Sequence, residues 1–304
     1  MKHNILSMVL SLCLIFLAGN ISLVLADSPP KGKLVVAVAN YPLLYFTERI
    51  GNGHVEIIFP IPPNIDPAFW NPQPKGVLAF QSADVIFLNG ATYSKWLDKV
   101  TLPRRKLVNT SQAFKAKYLP IQELTTHRHG PQGEHAHSGL AFTTWIDFQQ
   151  AIQQAKAVYD ALVKISPESL QLFQTNFSKL KEDLLALDQR LQEIVESNRT
   201  QPLLASHPIY DYFARHYGLN IQSVLWEPEE VPDIQQWAEL ERLLADHPAK
   251  WMIWEDEPTS QTVSRLKSLG IGSVVFDPAA NVPDKGDFLT VMHQNIENLK
   301  KVFP

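Results

Sequence analysis

Thiols are almost absent from this sequence: Cys13 is the only cysteine in 304 residues. It lies inside an N-terminal apolar run, so a chain that loses that run can form no disulfide and offers no thiolate to a metal. A thiol-free chain suits an oxidising compartment. Long apolar runs are equally scarce. Beyond Ile5 to Leu17, no stretch is long and apolar enough to cross a bilayer. Excess positive charge is missing too. With 27 Lys and Arg against 31 Asp and Glu, the formal net charge is −4, which argues against a nucleic-acid partner and tilts towards a cationic ligand. There is also no phosphate-binding glycine loop, no Gly-flanked nucleophile and no complete zinc-hydrolase ligand set. Ser206, His207 and Asp277 invite comparison with a catalytic triad. Neighbouring strand residues point to opposite faces, however, which keeps Ser206 from being activated by His207. An enzyme is not expected.

What is present begins with an export signal. Lys2 gives a positive start, Ile5 to Leu17 is nearly unbroken apolar sequence, and Val24-Leu25-Ala26 ends it with small residues at the cleavage positions. Residues 1–26 read as a signal peptide cut between Ala26 and Asp27, which predicts a periplasmic or otherwise exported protein. Gly19 and Asn20 interrupt the run and weigh against a membrane anchor. Leu12 precedes Cys13 where a lipid-attachment signal calls for a small residue, so cleavage is expected rather than acylation.

From Lys33 short apolar strands alternate with helices: strands at Leu34–Val38, Val55–Phe59, Val85–Leu88 and Lys106–Val108, helices at Pro42–Ile50 and Gly76–Ser82. The alternation returns after Pro202, with strands at Leu203–Ser206, Asn220–Val224, Trp251–Trp254 and Ser273–Phe276. Helices there are expected at Ile209–Tyr217, Ile234–Ala245, Ser260–Leu269 and Phe288–Val302, with Gly218 and Gly270 where C-terminal caps belong. Such alternation predicts an α/β fold with parallel sheets. Between the halves, Leu170, Phe173, Phe177, Leu180, Leu184, Leu187, Leu191 and Ile194 repeat at spacings of three and four. They form one stripe on a helix of roughly 28 residues, about 42 Å long, opened by Pro167 and Glu168. The expected architecture is two Rossmann-like lobes joined by one long backbone helix, with a ligand cleft at their junction. An N-terminal lobe spans 27–150, a linker with the long helix 151–200, and a C-terminal lobe 201–304.

Polar residues at strand ends are the site candidates. His207 follows Leu203–Ala205, Asp277 ends Ser273–Phe276, and Glu255 ends Trp251–Trp254, with Asp256 and Glu257 adjoining. Histidine with carboxylates can hold a divalent cation; equally, they could be a hydrogen-bonded cleft residue and solvated caps. A second candidate is the segment from His127 to Gly139, HRHGPQGEHAHSG. Its His127, His129, His135 and His137 come in pairs separated by one residue, which can converge on a metal in extended chain. Gly130, Pro131 and Gly133 mark it as a surface loop, so the expectation is weak metal capture there, against a polar connector that happens to be rich in histidine.

Several strings in order resemble one family, the zinc/manganese solute-binding proteins of ABC importers. DPAFWNPQP at Asp66–Pro74 is similar to its DPHxWxPxP-type segment. QSADVIFLNG at Gln81–Gly90, Trp96-Leu97 and Trp145-Ile146-Asp147 also fit. SHPIYDYFARHYGL at Ser206–Leu219 is close to SHxAFxYFxxxYGL, and Phe276-Asp277-Pro278 and the terminal helix with Asn295 complete the likeness. The resemblance covers nearly the whole chain after residue 26. It implies a ligand set of three histidines and a carboxylate, shared between the lobes. Of that set only His207 and Asp277 remain, because Ala68 and Thr143 stand where two of the histidines belong. Glu255, Asp256 or Glu257 could substitute. Trp70 and Trp145, beside the two altered positions, are expected to pack the lobe interface; the other reading is that they face the cleft and hold an organic ligand.

The resemblance thus implies a monomeric periplasmic receptor that captures zinc or a similar divalent metal ion and delivers it to a membrane permease. The alternative is a ligand-altered relative that binds a non-metal solute, or carries metal through its histidine-rich segment.

Overall fold

Short apolar runs such as Leu34–Val38, Val85–Leu88 and Trp251–Trp254, too short for buried helices, form most strands of two sheets with the same topology. The computed structural model describes residues 32–63, 65–128 and 134–304, with backbone alone for 122–128 and 134–138. Residues 1–26, expected to be a signal peptide, lie outside the described residues. In the first sheet β1 (Leu34–Val38), β2 (Val55–Ile58), β3 (Val85–Leu88) and β4 (Leu107–Asn109) run parallel in the order β2-β1-β3-β4. Helices α1 (Tyr41–Gly51) and α2 (Pro74–Ser82) make the crossovers. Asn40 starts α1 by accepting the Leu43 N–H at 3.2 Å, a side-chain N-cap.

Two features differ from the expectation. The histidine-bearing segment is not a plain loop. Its described parts are strands β5 (Pro120–Arg128) and β6 (Glu134–Leu140), an antiparallel pair with His127 opposite His135 and Thr125 opposite His137. The glycines and proline that read as a mobile loop fall at residues 130–133, between the two strands. Second, the linker holds two long helices rather than one. Helix α3 (Phe148–Ile165) is capped by Asp147, which accepts from Gln149 and Gln150, and it packs against α4 (Leu170–Val195). Pro167–Ser169 is a 3-10 turn, so the α-helix proper starts three residues after Pro167 and has 26 residues. Ser166, held out of helical conformation by the proline that follows, ends the preceding helix.

Phe173, Leu180, Leu184, Leu187 and Leu191 of α4 are buried, Phe177 stacks on Tyr159 of α3, and Leu170 is exposed where the helix begins. Helix α4 contacts α1 and α3 and, from the second half of the chain, the helices at Asp211–Tyr217 and Phe288–Leu299. In the second sheet β7 (Pro202–Ala205), β8 (Asn220–Ser223), β9 (Trp251–Trp254) and β10 (Gly272–Val275) run parallel in the order β10-β9-β7-β8. Helices α5 (Asp211–Tyr217), α6 (Ile234–Asp246), α7 (Ser260–Ser268) and α8 (Phe288–Leu299) cover it. Gly218 ends α5 with φ 69, the left-handed cap that glycine adopts without penalty.

The lobes are clasped directly. Trp145 Nε1 donates to the Pro278 carbonyl at 2.7 Å, Tyr41 N to that of Ala280 at 3.0 Å, and Asn281 Nδ2 to that of Ile65 at 2.7 Å. Across the back, His216 of α5 meets Asp188 of α4 at 2.7 Å, and Tyr217 and Gln149 donate to the same carboxylate.

Candidate metal centre

Carboxyl ends of β7, β9 and β10 lie side by side because the parallel register aligns Ala205 with Ile253 and Trp254 with Val275. The chain leaves these strands still paired, with Ser206 N donating to the Ile253 carbonyl and Phe276 N to that of Trp254. Residues just beyond them therefore gather at one edge of the sheet. His207, Glu255 and Asp277 all stand there, as their strand-end positions predicted.

A fourth residue joins them that sequence reasoning missed. After β8 the chain hugs the sheet: Val224 N donates to the Ala205 carbonyl and Trp226 N to that of Ser206. Trp226 is buried against Trp237, with ring centroids 4.7 Å apart. This packing delivers the next residue, Glu227, to His207. His207 Nε2 lies 3.3 Å from Glu227 Oε1, and Nδ1 lies 2.9 Å from Glu255 Oε1. His207 and Glu227 are 1% and 8% exposed. The three side chains each offer one ligand atom, and these atoms lie within 4.8 Å of one another. Burial alone would lower the pKa of the His207 ring, but the charges and hydrogen bonds of Glu255 and Glu227 outweigh it and hold the ring up to about 10. Glu227 opens the acidic run Glu227-Pro228-Glu229-Glu230. Its only sequence signal is that it follows a tryptophan at the end of the β8 segment, whereas Glu229 and Glu230 are exposed.

Asp277 sits beside this cluster and outside its three-residue set. Asn295 brackets its backbone, accepting from Asp277 N at 3.0 Å and donating to its carbonyl at 2.7 Å, and Ala279 N donates to Oδ1 at 2.6 Å. Burial, reinforced by the charges of Asp256 and Glu255, raises the Asp277 carboxyl to about 6 against the pull of the Ala279 N–H. Asp277, Glu255 and Asp256 face Asp66 of the first lobe across a groove of about 460 Å³, with Asp284 and Lys285 on its rim. Glu255 thus belongs to both the buried cluster and the groove wall. Glu257 does not join them: it is exposed and stands off the groove.

The first lobe brings no imidazole to this groove among the described residues. Ala68 is fully buried, its N–H donating to Asp66 Oδ1 at 2.8 Å. Thr143 is 3% exposed. Phe69, Phe142, Tyr93 and Trp145 pack edge to face around these positions, with centroids 5.3–6.3 Å apart. Trp70 packs on Phe80 and Trp96 inside the lobe. Trp145 thus packs at the lobe interface and reaches Pro278, whereas Trp70 packs within the first lobe. Of the histidine-rich segment, His127, His135 and His137 lie on the hairpin strands and His129 lies outside the described residues.

The family described as ZnuA, zinc-uptake complex component A periplasmic, matches residues 36–302. The zinc-binding lipoprotein AdcA of Streptococcus pneumoniae is 24% identical over 302 residues, covering 96% of this chain; the chain spans 59% of that relative's length. The high-affinity zinc uptake system protein ZnuA of Bacillus subtilis is 24% identical over 311 residues, covering 96% of this chain and 95% of its own. Among solved structures, the Zn(II)-bound ZnuA-like domain of Streptococcus pneumoniae AdcA superposes with a TM-score of 0.75 at 21% identity, over 90% of this chain and 99% of that one. That likeness establishes the shared two-lobed fold.

Proposed function

The chain belongs to the family of periplasmic zinc-uptake component A proteins, and from that premise we propose that it is the solute-binding component of an ABC importer, capturing a divalent metal ion between its lobes. The observation that carries the reading is the carboxylate-rich groove. Asp66, Glu255, Asp256 and Asp277 converge there from both lobes, with buried His207 behind Glu255. Oxygen donors backed by one imidazole suit a divalent cation. Zinc, or a similar ion, is the transported substrate, and the partner is the importer's membrane permease. The protein acts as an exported monomer after cleavage at Ala26, without a lipid on Cys13, and carries out no chemistry on its cargo.

The lobes are tied by α4 and by the Trp145, Tyr41 and Asn281 hydrogen bonds. Release to a permease therefore works through small movements at the groove rather than a wide hinge. The test is metal analysis of purified protein whose hairpin histidines, His127, His129, His135 and His137, are replaced by alanine. Stoichiometric zinc retained after dialysis is the expected result. Zinc bound by the intact protein but lost entirely with the hairpin histidines would instead support the accessory-carrier reading, which the imidazole-free first-lobe face of the groove favours.

A further inference from the structure

We propose that His207 is a positioning residue and not a ligand: its ring fixes the Glu255 carboxylate at the groove wall, and the groove takes its ion through oxygen atoms alone. This rests on the divalent-metal reading above and keeps the ion between the lobes. It narrows the substrate class to divalent ions that accept all-oxygen coordination, and it departs from the family resemblance, which makes His207 a ligand.

Three observations carry it. The first is that both ring nitrogens are occupied. Glu227 Oε1 lies 3.3 Å from Nε2, and Glu255 Oε1 lies 2.9 Å from Nδ1. The two nitrogens point away from each other across the ring, so the carboxylates flank the imidazole rather than surround a common point. An ion at either nitrogen would have to displace a carboxylate. The second is position. His207 is 1% exposed and sits behind Glu255, which lines the groove with its side chain 25% exposed. The third is a device shared by the four carboxylates that converge on the groove. Asp66 Oδ1 accepts from Ala68 N at 2.8 Å, Asp256 Oδ1 from Glu257 N at 2.7 Å, and Asp277 Oδ1 from Ala279 N at 2.6 Å. Each aspartate is short enough to be held by a backbone N–H one or two residues on. Glu255 is one methylene longer, and the His207 ring takes that place. A carboxylate anchored by one oxygen still coordinates through its other, and metal-binding carboxylates are oriented by such outer partners.

Selection among ions follows from the donor set. Imidazole is the donor suited to zinc, copper and nickel, whereas carboxylate, carbonyl and water suit magnesium, calcium and manganese. Ala68 and Thr143 bring no nitrogen from the first lobe, and among the described residues no imidazole lines the groove. Zinc keeps its lead over manganese by the general order of divalent affinities, but by a smaller margin than nitrogen ligands would give. Glu227, on the far nitrogen, holds the ring in the orientation that serves Glu255.

The experiment is calorimetric titration of Zn²⁺ and Mn²⁺ into metal-stripped protein carrying the hairpin His→Ala substitutions, alone and with His207→Gln, Glu255→Gln or both. Zinc X-ray absorption of the loaded protein, with His207 intact, accompanies it. His207→Gln is expected to weaken both ions by a similar factor, at least about 10-fold, the loss that outer partners of ligands cause. In the Glu255→Gln background the same substitution should cost little more, because it acts through Glu255. The absorption spectrum should fit oxygen neighbours with no imidazole, and it decides alone if His207→Gln does not fold. Single-variant losses that multiply in the double variant to within about 2-fold would make the two residues independent and overturn the inference. An imidazole in the spectrum, or a zinc loss far above the manganese loss, would overturn it too. The receptor reading survives each of these outcomes. If neither ion binds the hairpin-substituted protein, both fail.

Discussion

The two lobes share one sheet topology and face the same groove, yet they bring opposite chemistry to it. In the first lobe the order β2-β1-β3-β4 and in the second β10-β9-β7-β8 describe the same arrangement, the first strand of each lobe lying between its second and third. At the groove the first lobe presents Asp66 in front of a packed aromatic cluster around Ala68 and Thr143. The second presents His207, Glu227, Glu255 and Asp277. A shared scaffold thus places residues at its strand ends without dictating what they are. Among the described residues most carboxylates at the groove, and its one nearby imidazole, come from the second lobe, while the first adds Asp66 and aromatic packing.

The sharpest way to break this contrast is His207→Ala. It leaves buried Glu227, and Glu255 at the groove wall, around an absent ring, and losing one partner of a buried ionic group costs about 3–5 kcal/mol. Urea unfolding of the metal-free protein should show that loss, and zinc affinity should fall with it. Wild-type stability would mean that the two carboxylates do not depend on the ring.

Ala68→His tests the other lobe. Because Ala68 is fully buried, an imidazole there overpacks the aromatic cluster, and unfolding should register about 1–3 kcal/mol of destabilisation without tighter zinc binding. Tighter binding at unchanged stability would show the first-lobe face to be open after all. A smaller effect is expected at the clasp. Trp145→Phe keeps the ring packing but leaves the Pro278 carbonyl without its 2.7 Å donor, costing about 1 kcal/mol. Hydrogen exchange should be faster in 141–147 and 276–281 and unchanged in β9.

The mildest effect concerns the joint behind the groove. The hydrogen bond to Asp188 raises the His216 pKa above its ordinary value, against burial. Burial would raise the Asp188 carboxyl, but hydrogen bonds from His216, Gln149 and Tyr217 hold it below the ordinary range. The contribution of His216 to stability is therefore complete below the ring's ordinary pKa and disappears as pH rises through the raised one. That of Asp188 is present above the carboxyl's ordinary pKa and is lost as pH falls through its lowered value. In His216→Gln the alkaline part of the melting-temperature profile should flatten relative to wild type. An identical alkaline slope in both proteins would remove the histidine from the joint.

Much of this was legible in the chain. The strands Leu34–Val38, Val85–Leu88 and Trp251–Trp254 fall where uniform apolar runs put them, and the stripe from Phe173 to Leu191 marked the backbone helix. Helix α3 carried its own signal in Phe148, Ile152, Ala155, Val158 and Leu162, spaced three and four apart and buried. The stronger pattern beside it drew the reading to one helix instead of a pair. The hairpin escaped because its strands are polar, so nothing in residues 120–140 alternates cleanly between core and solvent. His207, Glu255 and Asp277 were visible at the site because each directly follows an apolar strand. Glu227 was not, since three residues separate β8 from it and two further glutamates follow it in the same run.

Local sequence on its own therefore determined the two parallel sheets, the long helix and three of the polar residues at the strand ends, because apolar periodicity and strand-end position act over a few residues. Tertiary structure alone decided that Glu227 meets His207, that Glu257 turns to solvent and that Ala68 and Thr143 disappear into aromatic packing. Each of these depends on which distant segments press together: Trp226 seated against Trp237, the loop after β8 pinned to Ser206, and Trp145 reaching across to Pro278. Contacts of that kind are made by surfaces that meet only once the chain has folded, and no spacing along the chain encodes them.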